Sequence, residues 1–250
     1  MANLKKKFEP SPHGGEGRAG GNRRAFPSPS YPPNVQGERV PHFPKANYSE
    51  PSVQPQGAPP MENPWRLFVA ILLEPTIQAG LTSVIHELSP IDVPVKWLEP
   101  GNLHLTLCFL GDVPKGRLAL VIEKLRQARQ DVKSFEMQLG GLGAFPNLKK
   151  PKVLFAPVTQ GWEPLRDLAT GISKSLQGFG QKQEDREFNA HVTLGRVKGF
   201  KGAKTIMPKL EGKVPSLIGK MQVKSFALMQ SELKPAGPVY TVLQEFNLVP

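Results

Sequence analysis

A chain of 250 residues with 39% hydrophobic side chains is long enough to bury a core, which excludes a wholly disordered or fibrous protein. Its formal charge of +11 points to an anionic partner, nucleic acid foremost. The one cysteine, Cys108, excludes an internal disulfide and a cysteine-based zinc cluster, and no run has the length and apolarity of a secretory leader or a membrane span, so a cytoplasmic protein without membrane association is expected.

Residues 1 to about 63 carry Pro and Gly throughout and few aliphatics, too little apolar surface to offset the entropy of ordering, so a disordered tail is expected there. Residues 1–60 hold eight basic and four acidic side chains, a charge density more in keeping with a solvated tail than with an RNA tether. Gly15-x-Gly17-x-x-Gly20 matches a dinucleotide-loop pattern, but neither a strand precedes it nor a helix follows, and it is read as chance.

One folded region is expected over 64–250, in which strand and helix signals alternate. RLFVAILL reads as a buried strand, and Ile77, Leu81, Ile85 and Leu88 fall at helical spacing before Pro90. A short strand follows at 96–98. NLHLTLCFLG alternates as a strand, and Leu118, Val121, Ile122 and Leu125 line a helix starting near Pro114. SFEMQLGGLGAF predicts a strand running into a glycine-rich loop, and KVLFAPV another strand. A helix from about Glu163 carries Leu165, Leu168, Ile172, Leu176 and Phe179, and the charged loop QKQEDRE leads into the strand FNAHVTLGRV. After a Pro/Gly/Lys-rich connection, MQVKSFALMQSEL and VYTVLQEFNLV each read as one strand.

The order of elements repeats loosely, giving lobes at roughly 65–145 and 150–250, between which strands can swap. The repeat is sharp at one point, where Asn102-Leu-His104-Leu-Thr106-Leu107 is matched by Asn189-Ala-His191-Val-Thr193-Leu194. Residues two apart share a face of a strand, so Asn102, His104 and Thr106 are expected on one side, with Leu103, Leu105 and Leu107 in the core on the other. The second copy has the same parity. If the lobes are related by a pseudo-twofold, the imidazoles meet across a cleft.

Two opposed histidines suit displacement at phosphorus, one neutral imidazole taking a proton from the nucleophile while a protonated one gives a proton to the leaving oxygen. The threonine hydroxyls can donate to the non-bridging oxygens. A single His-x-Thr is commonplace; two copies at equivalent places in a repeat are not. No Cys, Asp or Glu stands at ligand spacing around either motif, and a metal site is not expected. By parity Cys108 shares the face of His104, but position 114 is proline where a cysteine-dependent phosphatase needs arginine, so Cys108 is read as packing at the edge of the cleft. His13 and His42 fall in the tail, and His86 falls on a helix surface.

Around this doubled motif, the chain from Arg66 to about Val249 resembles the two-histidine phosphoesterases, and within them the RNA 2',3'-cyclic phosphodiesterases once called 2'-5' RNA ligases. The resemblance is carried by RLFVAILL, KWLEPGNLHLTLCFLGDV, LGGLGAFPNLKKPKVLFAPV, FNAHVTLGRV and SELKPAGPVYTVLQEF, in that order. It implies an α+β fold of two pseudo-twofold-related lobes, each an antiparallel sheet with helices packed outside, enclosing a central cleft. It also implies hydrolysis of RNA or nucleoside 2',3'-cyclic phosphate to a 2'-phosphate without metal or cofactor, with reversible 2'-5' ligation as an accompanying activity.

Carried onto this chain, the resemblance makes His104 the proton donor, His191 the proton acceptor, and Thr106 and Thr193 the phosphate-binding hydroxyls. Nothing local in the motifs separates acid from base. Arg196 is a further candidate phosphate contact, although strand parity puts it on the core side unless the strand is ending. Phe145 and Trp97 are candidates for stacking on a base or for ordinary core positions. Ser231 and Glu232 match a signature in the last lobe, where the expected role is to hold a turn. The expected partner is RNA with a cyclic phosphate end, or a small nucleotide, bound to a monomer. Two other readings remain: the same chemistry on linear 2'-5' oligonucleotides or small cyclic nucleotides, and a non-catalytic protein that binds RNA phosphate.

Overall fold

The computed structural model describes residues 64–179, 188–199, 203–210, 212–235 and 237–250, with side chains undescribed at 203–205. The expectations for the tail, its glycine pattern, His13, His42 and the QKQEDRE loop lie outside the described residues.

In chain order the elements are β1 (Trp65–Leu72), α1 (Pro75–Leu88), β2 (Val95–Trp97), β3 (His104–Val113), α2 (Leu118–Ala128), β4 (Phe135–Leu139), β5 (Gly143–Phe145), β6 (Val153–Gln160), α3 (Trp162–Ser175), β7 (His191–Val197), α4 (Ala203–Leu210), β8 (Gly219–Val223), β9 (Ser225–Lys234) and β10 (Gly237–Asn247). The fold class is α+β, as expected. The strands form one sheet in the order β10-β9-β1-β3-β7-β6-β4-β8, with β2 added to β7 and β5 to β6, and every pair of named strands is antiparallel. The halves of the sequence exchange strands: β9 and β10 join β1 and β3, while β4 and β5 pair with β6 from the later half.

The main core lies on one face of this sheet. Leu67, Val69 and Ile71 of β1, Leu105 and Leu110 of β3, Leu154 and Ala156 of β6 and Val192 and Leu194 of β7 pack there with apolar stripes of the helices, including Ile77, Leu81, Val84 and Leu88 of α1 and Leu165, Leu168 and Ile172 of α3. Each leucine, isoleucine or valine among them, wholly removed from water, contributes about 1.5–3 kcal/mol. On the opposite, open face a smaller cluster of Phe68, Ala70, Ala227 and Met229 is covered by Leu72 and Tyr240. Burial on both faces of β1 is why LFVAILL, after the exposed Arg66, is apolar throughout instead of alternating.

Three local differences from expectation have physical causes. MQVKSFALMQSEL is two strands, because Met221 and Val223 face the main core and so do Phe226 and Leu228; that change of phase at Lys224 cannot be met by one pleat, and the chain changes partners from β4 to β1. A helix, α4, stands within the Pro/Gly/Lys-rich connection; Ile206 and Leu210, four residues apart, are its buried positions. The third helix ends at Ser175, so Leu176 and Phe179 are buried just past its end.

Candidate active site

The two motif strands are neighbours in the middle of the sheet. β3 and β7 pair antiparallel at Leu105 and Val192, both buried in the main core. Antiparallel register about that pair sets His104 toward Thr193 and Thr106 toward His191, all on the open face. The local pseudo-twofold therefore passes between Leu105 and Val192.

Asn102 and Asn189 correct the parity expectation. Asn102 lies in a 3-10 turn, Pro100–Asn102, and Asn189 precedes β7, so neither takes part in strand alternation. The backbone carbonyl of each meets a histidine. The His104 Nδ1 is 2.8 Å from the Asn102 carbonyl oxygen, and the His191 Nδ1 is 2.6 Å from that of Asn189. A carbonyl only accepts, so Nδ1 carries the hydrogen in both rings. A neutral imidazole held this way presents a bare Nε2 lone pair, and a protonated one presents Nε2–H.

Aromatic side chains fix the ring planes. His104 packs against Phe68 at 5.0 Å and edge-on against Tyr240 at 5.1 Å between centroids. His191 packs against Phe145 at 4.9 Å and Phe155 at 5.1 Å. Phe145 and Phe155 stack at 4.3 Å, and the place of Phe155 depends on Gly143 across the strand pair, where a Cβ would come within 2.3 Å of its ring. Burial depresses both imidazole pKa values below the ordinary 6.5, outweighing the carbonyl bonds that raise them; His191 adds to the lowering at His104, and Arg196 to that at His191. The Tyr240 phenol is pushed up by burial, an effect that Arg196 and Arg66 oppose.

Bulges after each threonine decide which later residues reach the open face. In β3 the register against β1 shifts between Val69 and Ala70, so Leu107 and Cys108 both point into the core and Phe109 emerges, 66% exposed. Cys108 is thus a core residue and does not share the face of His104. In β7 the register against β6 shifts between Leu154 and Phe155, so Leu194 and Gly195 are both buried and Arg196 emerges exposed. That shift overturns the core-side placement that simple parity gives Arg196. A Cβ at Gly195 would lie 2.6 Å from Val95 Cγ1 and 2.9 Å from Trp97 Cε3, which also shows that Trp97 packs on the core side and not over the open face.

Ser231 and Glu232 lie within β9, opposite Tyr240 and Val239, and hold no turn; Glu232 pairs with Lys234 at 3.5 Å. His86 is an exposed residue of α1. Phe68, Phe109 and Tyr240 join the site without a motif to announce them. Among the described residues no group of three His, Cys, Asp or Glu side chains gathers as a metal ligand set, and no helix is long and apolar enough to cross a membrane.

Comparison with known proteins shows which family the chain falls in. Residues 95–235, which include both motifs, match the model of the 2'-5' RNA ligase superfamily. The chain is 36% identical over 182 residues to an RNA 2',3'-cyclic phosphodiesterase of Archaeoglobus fulgidus, covering 73% of this chain and 99% of that protein. It is 33% identical over 184 residues to one of Methanothermobacter thermautotrophicus, covering 73% and 98%. Among solved structures it is similar to TT0787 of Thermus thermophilus, with a TM-score of 0.59 at 33% identity over 73% of this chain and 97% of that one. It is also similar to E. coli LigT complexed with 3'-AMP, with a TM-score of 0.60 at 25% identity over 75% and 100%. By its doubled His-x-Thr strands and these matches, the chain belongs to the 2'-5' RNA ligase superfamily.

Proposed function

We propose that this protein hydrolyses 2',3'-cyclic phosphate ends of RNA to 2'-phosphates by general acid and base catalysis with its two histidines. The observation that carries the reading is the pair of imidazoles on adjacent strands, each tied through Nδ1 to a backbone carbonyl so that Nε2 serves the open face. Membership of the superfamily, with relatives named RNA 2',3'-cyclic phosphodiesterase, supports it.

In the proposed reaction His191, neutral, takes a proton from water as the water oxygen attacks phosphorus. The bond from phosphorus to the 3' oxygen breaks, and His104, protonated, gives its Nε2 proton to that oxygen. The 2'-phosphate remains. Thr106 and Thr193 donate to the non-bridging oxygens, and Arg196 adds positive charge where negative charge accumulates. The choice of donor and acceptor follows the family resemblance. Phe109, exposed on the same face after the bulge, offers a ring to the terminal base. We take the protein to act as a monomer, since both copies of the motif come from one chain, and in the cytoplasm, in keeping with its single cysteine.

The test is incubation with an RNA ending in 2',3'-cyclic phosphate, with and without EDTA, and location of the product phosphate by phosphorus NMR. A 2'-phosphate formed equally in both is expected. A 3'-phosphate, or loss of turnover with EDTA, contradicts the mechanism. Salt-sensitive RNA binding that persists in the histidine variants, with no product from the wild type, marks a binding protein instead.

A further inference from the structure

The open face continues past Arg196 onto β2, the short strand added beside β7. Lys96 is the direct antiparallel partner of Arg196, so the two side chains emerge on the same side, their Cβ atoms about 5 Å apart. The neighbours of Lys96 settle which side that is. Val95 and Trp97 pack toward the core across Gly195, so Lys96 between them must face the way Arg196 does, away from the core and onto the face of His191 and Thr193.

Both cations are exposed, and neither forms an ion pair with any described carboxylate. Further exposed lysines stand near the ends of the adjoining strands. Lys198 follows β7 and is fastened by its amide to the Pro94 carbonyl at 2.6 Å. Lys149 and Lys150 are exposed in the loop after Phe145, where both amides bond to Asn147 Oδ1. A mononucleotide bound between the histidines has one phosphate, which Thr106, Thr193 and Arg196 already serve. Lys96 lies one strand beyond them, with no described carboxylate to neutralise it.

We propose that Lys96, on the edge of the site next to Arg196, binds the phosphodiester that precedes the terminal nucleotide of an RNA strand, so that the strand leaves the site across β2 and toward Lys198. This inference rests on the RNA reading above and narrows it: the preferred substrate is an oligonucleotide, and not a free nucleoside 2',3'-cyclic phosphate. Contacts of this kind carry no base information; they position the strand and make recognition depend on salt.

The test compares kcat/KM for a pentanucleotide ending in 2',3'-cyclic phosphate with kcat/KM for a nucleoside 2',3'-cyclic phosphate, from about 50 to about 200 mM salt. The proteins are the wild type, Lys96→Gln and, as a control for net charge, Lys174→Gln on the exposed side of α3. Lys96→Gln is expected to lower the ratio of oligonucleotide to mononucleotide kcat/KM about fivefold at low salt, and to reduce the oligonucleotide salt slope by about 0.7, the value for one phosphate contact on a single strand. Lys174→Gln should retain the wild-type ratio. An unchanged ratio in Lys96→Gln, an equal loss on both substrates, or an equal loss of ratio in Lys174→Gln overturns the subsite. Failure of the function itself looks different, since the wild type would then turn over neither substrate.

Discussion

Gly195→Ala adds one methyl group at the point where β2 meets β7. The added Cβ would stand 2.6 Å from Val95 Cγ1, 2.9 Å from Trp97 Cε3 and 3.2 Å from the Lys96 carbonyl oxygen. Carbon atoms rest at about 3.5–4.0 Å, so two side chains that pack on the main core must each retreat by roughly 1 Å. Overpacking of this size costs about 1–3 kcal/mol. The same exchange at Gly171, inside α3 with nothing within 4 Å of its Cβ position, should instead stabilise the helix by about 0.5–1 kcal/mol. Urea denaturation of both variants measures the pair: the midpoint falls for Gly195→Ala and rises for Gly171→Ala at unchanged slope. Because β2 retreats with Trp97, kcat/KM should also fall in Gly195→Ala through the displaced register of Arg196. A Gly195→Ala protein as stable and active as the wild type would refute the packing of Trp97 on the core side and, with it, the placing of Lys96 and Arg196 on the open face.

Other consequences concern pH and phosphate binding. Both imidazoles have folded pKa values below the ordinary 6.5, so as pH falls through that value the unfolded chain takes up protons first. Stability is therefore full above about 6.5 and declines below it, and His191→Gln should flatten the decline seen in thermal melts across that window. The plot of kcat/KM against pH, which reports the free enzyme, should be a bell centred on the acid side of 6.5, whereas the bell in kcat should move upward because a bound phosphate anion favours imidazolium. Thr106→Val and Thr193→Val, which keep the β-branched shape that the strands accept, should each lower kcat about 100-fold with little change in urea midpoint; a loss confined to KM would contradict transition-state stabilisation by these hydroxyls.

The sequence discloses most of what depends on strict alternation. Leu105 and Val192 in the core, His104 with Thr106, and His191 with Thr193 all follow from a period of two. What it hides depends on places where the period breaks. The bulges that turn Cys108 inward and bring Phe109 and Arg196 outward exist only as register between β3 and β1 and between β7 and β6, which a single strand does not encode. The glycine at 195 is a trace of one bulge, legible only once Trp97 is known to cross it. Phe68 reads as core because it is core, on a second face; its contact with His104 comes from β1 lying beside β3. Tyr240 arrives from the far end of the chain by a strand exchange that no local pattern announces. The phase change at Lys224, by contrast, was open to inspection in MQVKSFAL.

The paired-imidazole mechanism divides its labour between His104 and His191, and the division can be measured with an RNA whose cyclic phosphate carries sulfur in place of the bridging 3' oxygen. A thiolate leaves without needing a proton, whereas water must still lose one. His104→Ala should be nearly inactive on the oxygen substrate and regain much of its rate on the sulfur substrate, while His191→Ala stays inactive on both. Equal rescue of the two variants, or rescue of His191→Ala alone, would contradict the assignment of His104 as the acid and His191 as the base.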